Sequence, residues 1–336
     1  FCYCCTCLYI SIDGGVNWAH FDNNMPKVGV RDMVIHQRDH SLVMGTHGRG
    51  VIIIDDITPL RQLTDEVRAE KFHFFETAPT ILRDPGAGGA WFGGSGNYVG
   101  ENPSSAAKIV YYMGRRHMFG KMYIEIWKDG ELLRTLPAGK SAGVNIVDLP
   151  TAMGKPKAAP TKNRMALFGS LFGPNLAAGS YEARVIQGKN TFTTTFELAN
   201  DPYSEYSAED RKIQREYTMN LYNMTEDMAY TYDVLSNIEK DAYALAEANP
   251  KKAKKIKPLA DKAKSEKDKL VALGGDFYVD EGEQIRERIS NMYRMISSYP
   301  GRPSKSQMDE ADKLADEMKE VHMKFNSVLT QLEEVN

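Results

Sequence analysis

The hydrophobic period of this chain changes once, near residue 200, and that change constrains what its 336 residues can form more than any other feature. From Ile213 onward, Tyr217, Leu221, Met224, Met228, Tyr232, Leu235, Ile238, Ala242 and Leu245 recur at steps of three and four residues, which puts them on one face of a long helix. Ser207 opens that helix as an S-A-E-D cap, with Asp210 placed where its carboxylate meets free amides. Asn249 and Pro250 close it. A second helix is expected through Leu259 to Leu273, stopped by Gly274 and Gly275. A third carries Ile285, Ile289, Met292 and Ile296, and a fourth carries Met308, Leu314, Met318, Phe325 and Leu332. Four amphipathic helices joined by short turns predict an up-and-down bundle over residues 201–336.

Upstream of residue 200 the pattern is that of strands. LYISI, VRDMVIH, SLVMGTH and GVIIIDD are short runs rich in β-branched residues, divided by GG, RDH and HGRG turn signals. Their regular spacing predicts a meander such as a propeller blade over residues 1–68. Residues 69–200 alternate with a different rhythm through KFHFFET, AKIVYYM, KMYIEIWKDGELLRTL, GVNIVDL, GSYEARVI and TFTTTFEL. Asp129 and Gly130 sit where a two-residue hairpin turn is needed. About seven such segments predict an immunoglobulin-like sandwich. GAGGAWFGGSGNYVG and TAMGKPKAAPTKNR would be its long loops.

Charge and length narrow the functional classes. A net charge of -3 gives no whole-molecule attraction to nucleic acid or anionic lipid, so an electrostatic partner has to be met by a local patch. No apolar run reaches the length of a bilayer span. The lysine run from Pro250 to Leu270 holds nine lysines and three acids without an aromatic, the composition of a solvated helix face rather than a nucleic-acid groove. All four cysteines, Cys2, Cys4, Cys5 and Cys7, crowd into FCYCCTC. That spacing departs from the paired Cys-x-x-Cys knuckles of structural zinc sites, so no metal is expected. The chain opens on Phe1 rather than methionine and reads as a piece of a longer or processed protein.

The candidate site residues fall in loops. In SIDGGVNW, Asp13 is a short carboxylate at a tight turn. Gly14 and Gly15 permit the positive φ such a turn requires, and Trp18 is expected to fold back as a plug, all of which points to a fold-stabilising role. In GTHGRG, His47 and Arg49 stand between glycines where a sugar or anion could approach, and the plainer reading is a hairpin whose arginine pairs with Asp55 or Asp56. Asp55 and Asp56 are adjacent on a strand and point to opposite faces, so they cannot serve as the acid and base of a glycosidase. Trp91, Phe92 and Tyr98 lie in the glycine-rich loop, where flat rings either stack on a sugar or cover the sandwich. GKSAG around Ser141 matches Gly-x-Ser-x-Gly by letter, but two apparent strands flank it instead of the strand and helix a nucleophile elbow needs. No phosphate loop or His-Glu-x-x-His motif occurs, so neither a catalytic set nor a cofactor is expected.

Ser11, Asp13, Gly15 and Trp18 fit the Asp-box pattern Ser-x-Asp-x-Gly-x-x-Trp in full. With VRDMVIHQRDHSLVMGTHGRGVIIIDD after it, the stretch resembles the closing blade of bacterial-neuraminidase-repeat propellers of the sortilin-like type. Large exported proteins of this kind, often labelled glycosyl hydrolases, resemble the chain over residues 8–336. GENPSSAAKIVYYM and LLRTLPAGKSAGVNIVDLP look like strands of the immunoglobulin-like domain of flagellar-hook capping protein, and DPYSEYSAED looks like the start of a helical tail.

The resemblance implies a β-then-α, multidomain chain: terminal propeller blades with upstream blades missing, a sandwich and a helical bundle. It further implies export to the periplasm, cell surface or medium, and a polysaccharide or cell-surface protein as partner. Three functional readings remain open on these residues. One is a non-catalytic C-terminal region, another is part of a glycoside hydrolase or sialidase-like enzyme with its acids upstream, and the third is a carbohydrate- or protein-binding module.

Overall fold

The computed structural model describes residues 1–3, 8–22, 24–84, 104–274 and 283–335. The chain divides into two compact units. One comprises Phe1–Leu82, Pro103–Pro150 and Ala178–Ala199, and is built of β-sheet. The other comprises Arg83–Asn102, Thr151–Ala177 and Asn200–Asn336, and holds the long helices.

The β unit begins with two small three-stranded sheets. β1 (Cys2–Tyr3), β2 (Leu8–Ile10) and β3 (Ala19–His20) form the first, and β4 (Val30–His36), β5 (Ser41–Thr46) and β6 (Val51–Ile54) form the second. The expected four-strand meander is thus three strands, because LYI pairs instead across the SIDGGVNW loop, Tyr9 opposite His20 and Ile10 opposite Ala19. Leu8, Val30, Leu42, Met44 and Ile57 make one buried core for this region. The other face of the β4–β6 sheet is open: Val34, Val51 and Ile53 are exposed apolar residues. No closed ring of blades occurs among the described residues.

Two short helices, α1 (Thr58–Gln62) and α2 (Asp65–Ala69), follow. Thr64 caps α2, its hydroxyl accepting the Val67 amide at 3.4 Å. Val67 packs with Phe75 and Val110, so α2 covers the outer face of the sheet that comes next. That sheet has the order β12 (Gly143–Leu149), β9 (Ala107–Met113), β7 (Phe72–Phe74). Facing it is a five-stranded sheet of order β11 (Glu131–Pro137), β10 (Met122–Lys128), β13 (Gly179–Gln187), β14 (Asn190–Asn200), β8 (Thr80–Leu82).

Alternation decides the faces. Ile109, Tyr111 and Met113 are buried along β9, as are Met122, Ile124 and Ile126 along β10 and Tyr181, Ala183 and Val185 along β13. Phe72 of one sheet stacks on Phe192 of the other with ring centroids 4.0 Å apart, and on Tyr111 at 5.1 Å. The β10–β11 hairpin turns at Asp129 and Gly130, both with positive φ of 51° and 84°, the type I′ geometry that Asp-Gly favours.

The helical unit holds α4 (Ala208–Ala248), α5 (Ala253–Asp268), α6 (Ile285–Ser297) and α7 (Lys305–Val335). Leu221, Met228, Leu235, Leu259, Ile289, Tyr293, Leu314 and Val328 belong to one shared core, as the three-and-four spacing requires. The Ser207 cap forms, its hydroxyl accepting the Asp210 amide at 3.1 Å. α7 starts with a reciprocal cap: Ser304 accepts the Gln307 amide at 3.3 Å while Gln307 accepts the Ser304 amide at 2.8 Å. α5 starts before Pro258 rather than at Leu259, carrying that proline inside its second turn.

TAMGKPKAAPTKNR connects β12 to β13, yet its residues belong to the helical unit. A short helix, α3 (Arg164–Gly169), is capped by Asn163, whose side chain accepts the Ala166 amide at 2.9 Å. Gly169 lets α3 approach α6 so closely that a Cβ there would lie 2.4 Å from the Ser290 carbonyl. The clasp is polar. Thr161 donates to Glu287 at 2.7 Å, Arg286 donates to the Ala159 carbonyl at 3.0 Å, and Tyr293 donates to the Phe172 carbonyl at 2.9 Å.

Candidate functional site

The β2–β3 loop closes on itself. Ser11 donates to the Asp13 carboxylate at 2.7 Å and accepts the Gly15 amide at 2.7 Å. Asp13 in turn accepts the Asn17 amide at 2.9 and 3.1 Å and the Asn17 side-chain amide at 2.7 Å. Gly14 and Gly15 take φ of 73° and 95°, which an L side chain adopts only with strain. The Asn17 amide above all, then Ser11 and the Asn17 side chain, pull the Asp13 pKa down to about 2 from 3.8.

Trp18 folds back as expected, donating its indole N–H to the Gly15 carbonyl at 3.0 Å. It remains 49% exposed, however, so it covers its own loop rather than plugging a core. Every functional group of the box is engaged with the box. A carboxylate so heavily hydrogen-bonded and so acidic is a poor proton acceptor near neutrality.

The GTHGRG turn joins β5 to β6. The Thr46 amide and hydroxyl both donate to the Gly50 carbonyl, at 3.0 and 2.7 Å, and the His47 amide donates to the Gly29 carbonyl at 2.8 Å. His47 and Arg49 are exposed. The expected pairing of Arg49 with Asp55 or Asp56 is absent among the described residues, because β6 carries the aspartates to its far end. Six residues of extended chain span roughly 20 Å, beyond an arginine's reach. Asp56 instead accepts the Thr58 amide at 2.9 Å at the entrance to α1. Among the described residues no carboxylate pairs with His47 or Arg49.

Ser141 lies between strands, as its neighbours required. Asn145, buried, holds the loop by accepting the Ser141 amide at 3.1 Å and donating to the Ser141 and Gly143 carbonyls at 2.8 and 3.1 Å. Trp91, Phe92 and Tyr98 lie outside the described residues, as do Cys4, Cys5 and Cys7. Among the described residues no group of three metal-ligating side chains forms.

Sequence reasoning missed one concavity in the helical unit. A cleft of about 300 Å³ is lined by Leu235, Glu266, Lys269, Glu283, Arg288 and Glu317 among others. Its charges are largely spent on each other: Arg288 donates to Glu317 at 2.7 Å and to Glu310 at 2.6 Å, which raises its pKa. Lys269 pairs with Glu266 at 2.8 Å. The paired charges brace α6 against α7, and of the lining Glu320 and Lys324 form no ion pair among the described residues.

No family model matches the sequence, and no curated protein matches it. Among solved structures, the crystal structure of Salmonella alpha-2-macroglobulin mutant Y1175G aligns over 57% of this chain and 10% of that chain, at 14% identity and a TM-score of 0.23. A likeness that slight carries no argument about fold or activity.

Proposed function

We propose that this chain is the non-catalytic C-terminal region of an exported Asp-box propeller protein of the glycosyl-hydrolase-like type. On this reading the two small sheets of residues 1–57 are blade elements, the paired sheets an immunoglobulin-like sandwich, and the four helices an antiparallel bundle that supports or presents the propeller. The observation that carries the reading is the Asp-box, whose serine, aspartate and tryptophan all bond the backbone of their own loop, at Gly15, Asn17 and Gly15 in turn. The exposed Val34, Val51 and Ile53 support it further, because a blade packed between neighbours needs an apolar outer face.

The enzyme reading draws no support from the described residues. Glycoside hydrolysis needs two carboxyl groups separated by about 5 to 10 Å across one bond. Asp13 is locked in its turn, Asp56 accepts the Thr58 amide, and His47 and Arg49 meet no acid pair among the described residues.

The experiment uses the longest secreted form of the protein and polysaccharide substrates. His47→Ala with Arg49→Ala is expected to leave hydrolysis, if any is detected, within about twofold of wild type, the scatter of surface changes remote from chemistry. A loss of about a hundredfold or more, the effect of removing a transition-state donor, would move the reaction centre to this turn and overturn the proposal.

A further inference from the structure

The loop joining β9 to β10, GRRHMFGK, combines two properties that rarely share a surface. Met118 is 66% exposed and Phe119 85% exposed, the latter the most exposed large apolar side chain among the described residues. Arg115, Arg116 and Lys121 flank them, all exposed. An aromatic ring held that far into water has a standing free-energy cost, and flanking cations make ordinary self-association of such tips unfavourable.

The tip is held in place. The Gly114 amide donates to the Lys71 carbonyl at 3.1 Å, the His117 amide to the Lys140 carbonyl at 3.0 Å, and Lys140 Nζ to the Gly120 carbonyl at 3.0 Å. Gln187 and His117 share a hydrogen bond at 3.2 Å. Gly120, at φ 91°, supplies the reversal that brings the chain back into β10.

Strand register gathers more charge at the same end. Met113 lies opposite Gly143 and Phe72, and Met122 lies opposite Gln187, so the 138–142 loop, the β13–β14 turn and Lys71 all flank the tip. Those segments contribute exposed Lys71, Lys140 and Lys189. None of these six cations forms an ion pair among the described residues, and Glu70, the nearby acid, is engaged with His73 at 3.2 Å. A chain of net charge -3 therefore concentrates positive charge around an apolar point.

We propose that this end of the β unit docks on an anionic lipid surface, Met118 and Phe119 entering the headgroup boundary while the cations around them meet lipid phosphates. Charge complementarity selects the occupant. A polysaccharide or nucleic acid would use the cations and at most one face of the Phe119 ring, leaving Met118 in water, whereas an anionic bilayer interface takes up both apolar side chains and the cations at once. Peripheral docking needs no spanning helix, and no helix among the described residues is long and apolar enough to cross a membrane.

The test is co-sedimentation of the whole chain with vesicles of phosphatidylglycerol and phosphatidylcholine, against vesicles of phosphatidylcholine alone. Binding is expected to the mixed vesicles only, and to weaken as salt shortens the screening length from about 10 Å toward 3 Å. Met118→Ser with Phe119→Ser should lower the partition coefficient about tenfold or more, since the inserted apolar area is lost. Arg115→Ala, Arg116→Ala and Lys121→Ala together should lower it by about fivefold per cation. All five positions are exposed, so unchanged far-UV circular dichroism and thermal midpoints are expected to accompany these losses. Equal sedimentation with both vesicle types, or none with either, overturns the proposal. So does wild-type binding by the double serine variant, which would assign the face to polyanions through charge alone.

Discussion

Glu287 offers the sharpest perturbation of the helical unit. It is fully buried, yet it is an acid, and it survives there because three donors converge on it: the Thr161 hydroxyl at 2.7 Å, the Ala272 amide at 3.1 Å and the Gln284 amide at 3.2 Å. Glu287→Ala strips all three. A buried donor left without an acceptor costs about 1–3 kcal/mol. Ala272 is part-exposed and Gln284 exposed, so their amides recover water and the full sum does not apply. Adding the void left by the side chain gives a loss of about 2–4 kcal/mol. Glu287→Gln keeps the shape and one acceptor, for about 1 kcal/mol, and Thr161→Val removes a single donor for a similar amount. Urea unfolding followed at 222 nm measures each variant, and the Thr161→Val, Glu287→Gln cycle isolates the bond between them. Faster tryptic cleavage at Lys157 and Lys162 should accompany the loss, since Thr161 anchors that segment. A Glu287→Ala loss below about 0.5 kcal/mol, the range of an ordinary surface change, would refute the clasp.

Two further outcomes follow from the same kind of reasoning. Because Asp13 is held near 2 when folded and sits near 3.8 when unfolded, the unfolded chain binds more protons between those values. Its contribution to stability is therefore complete above pH 4 and disappears as pH falls toward 2, and Asp13→Asn should flatten that part of a thermal-midpoint profile; an identical profile in the variant would count against the loop geometry. Gly169→Ala should destabilise by more than about 1 kcal/mol in chemical unfolding although alanine is the better helix former by about that amount, because its Cβ would meet the Ser290 carbonyl. A gain in stability would show that α3 does not approach α6 so closely.

Much of the local structure was legible from residue type alone. The Ser207 cap, the Asp129–Gly130 turn and the positive φ of Gly14 and Gly15 follow from short-range chemistry, which a sequence displays directly. The helical stripe from Ile213 to Leu245 was equally plain, since its period repeats for about nine turns. What stayed hidden depends on partners far along the chain. TAMGKPKAAPTKNR reads as loop because its anchors are the Thr161 hydroxyl and the Ala159 carbonyl, and the groups they meet on α6 lie more than 120 residues away. The Arg49 pairing failed for a geometric reason, the length of β6, which adjacency in a charge pattern does not convey. Met118 and Phe119 escaped notice because an apolar pair between two arginines and a glycine looks like the end of a strand, and only the fold reveals that both side chains point to solvent.

The measurement that tests the proposed role most directly is the coding sequence immediately upstream of Phe1, read from the source DNA. The account predicts an open frame carrying further Ser-x-Asp-x-Gly-x-x-Trp boxes at blade-like intervals behind an export signal, with sheets to cover Val34, Val51 and Ile53. A stop codon at that point, or a preceding segment without such boxes, would contradict it and leave the two small sheets to be explained as a unit of their own.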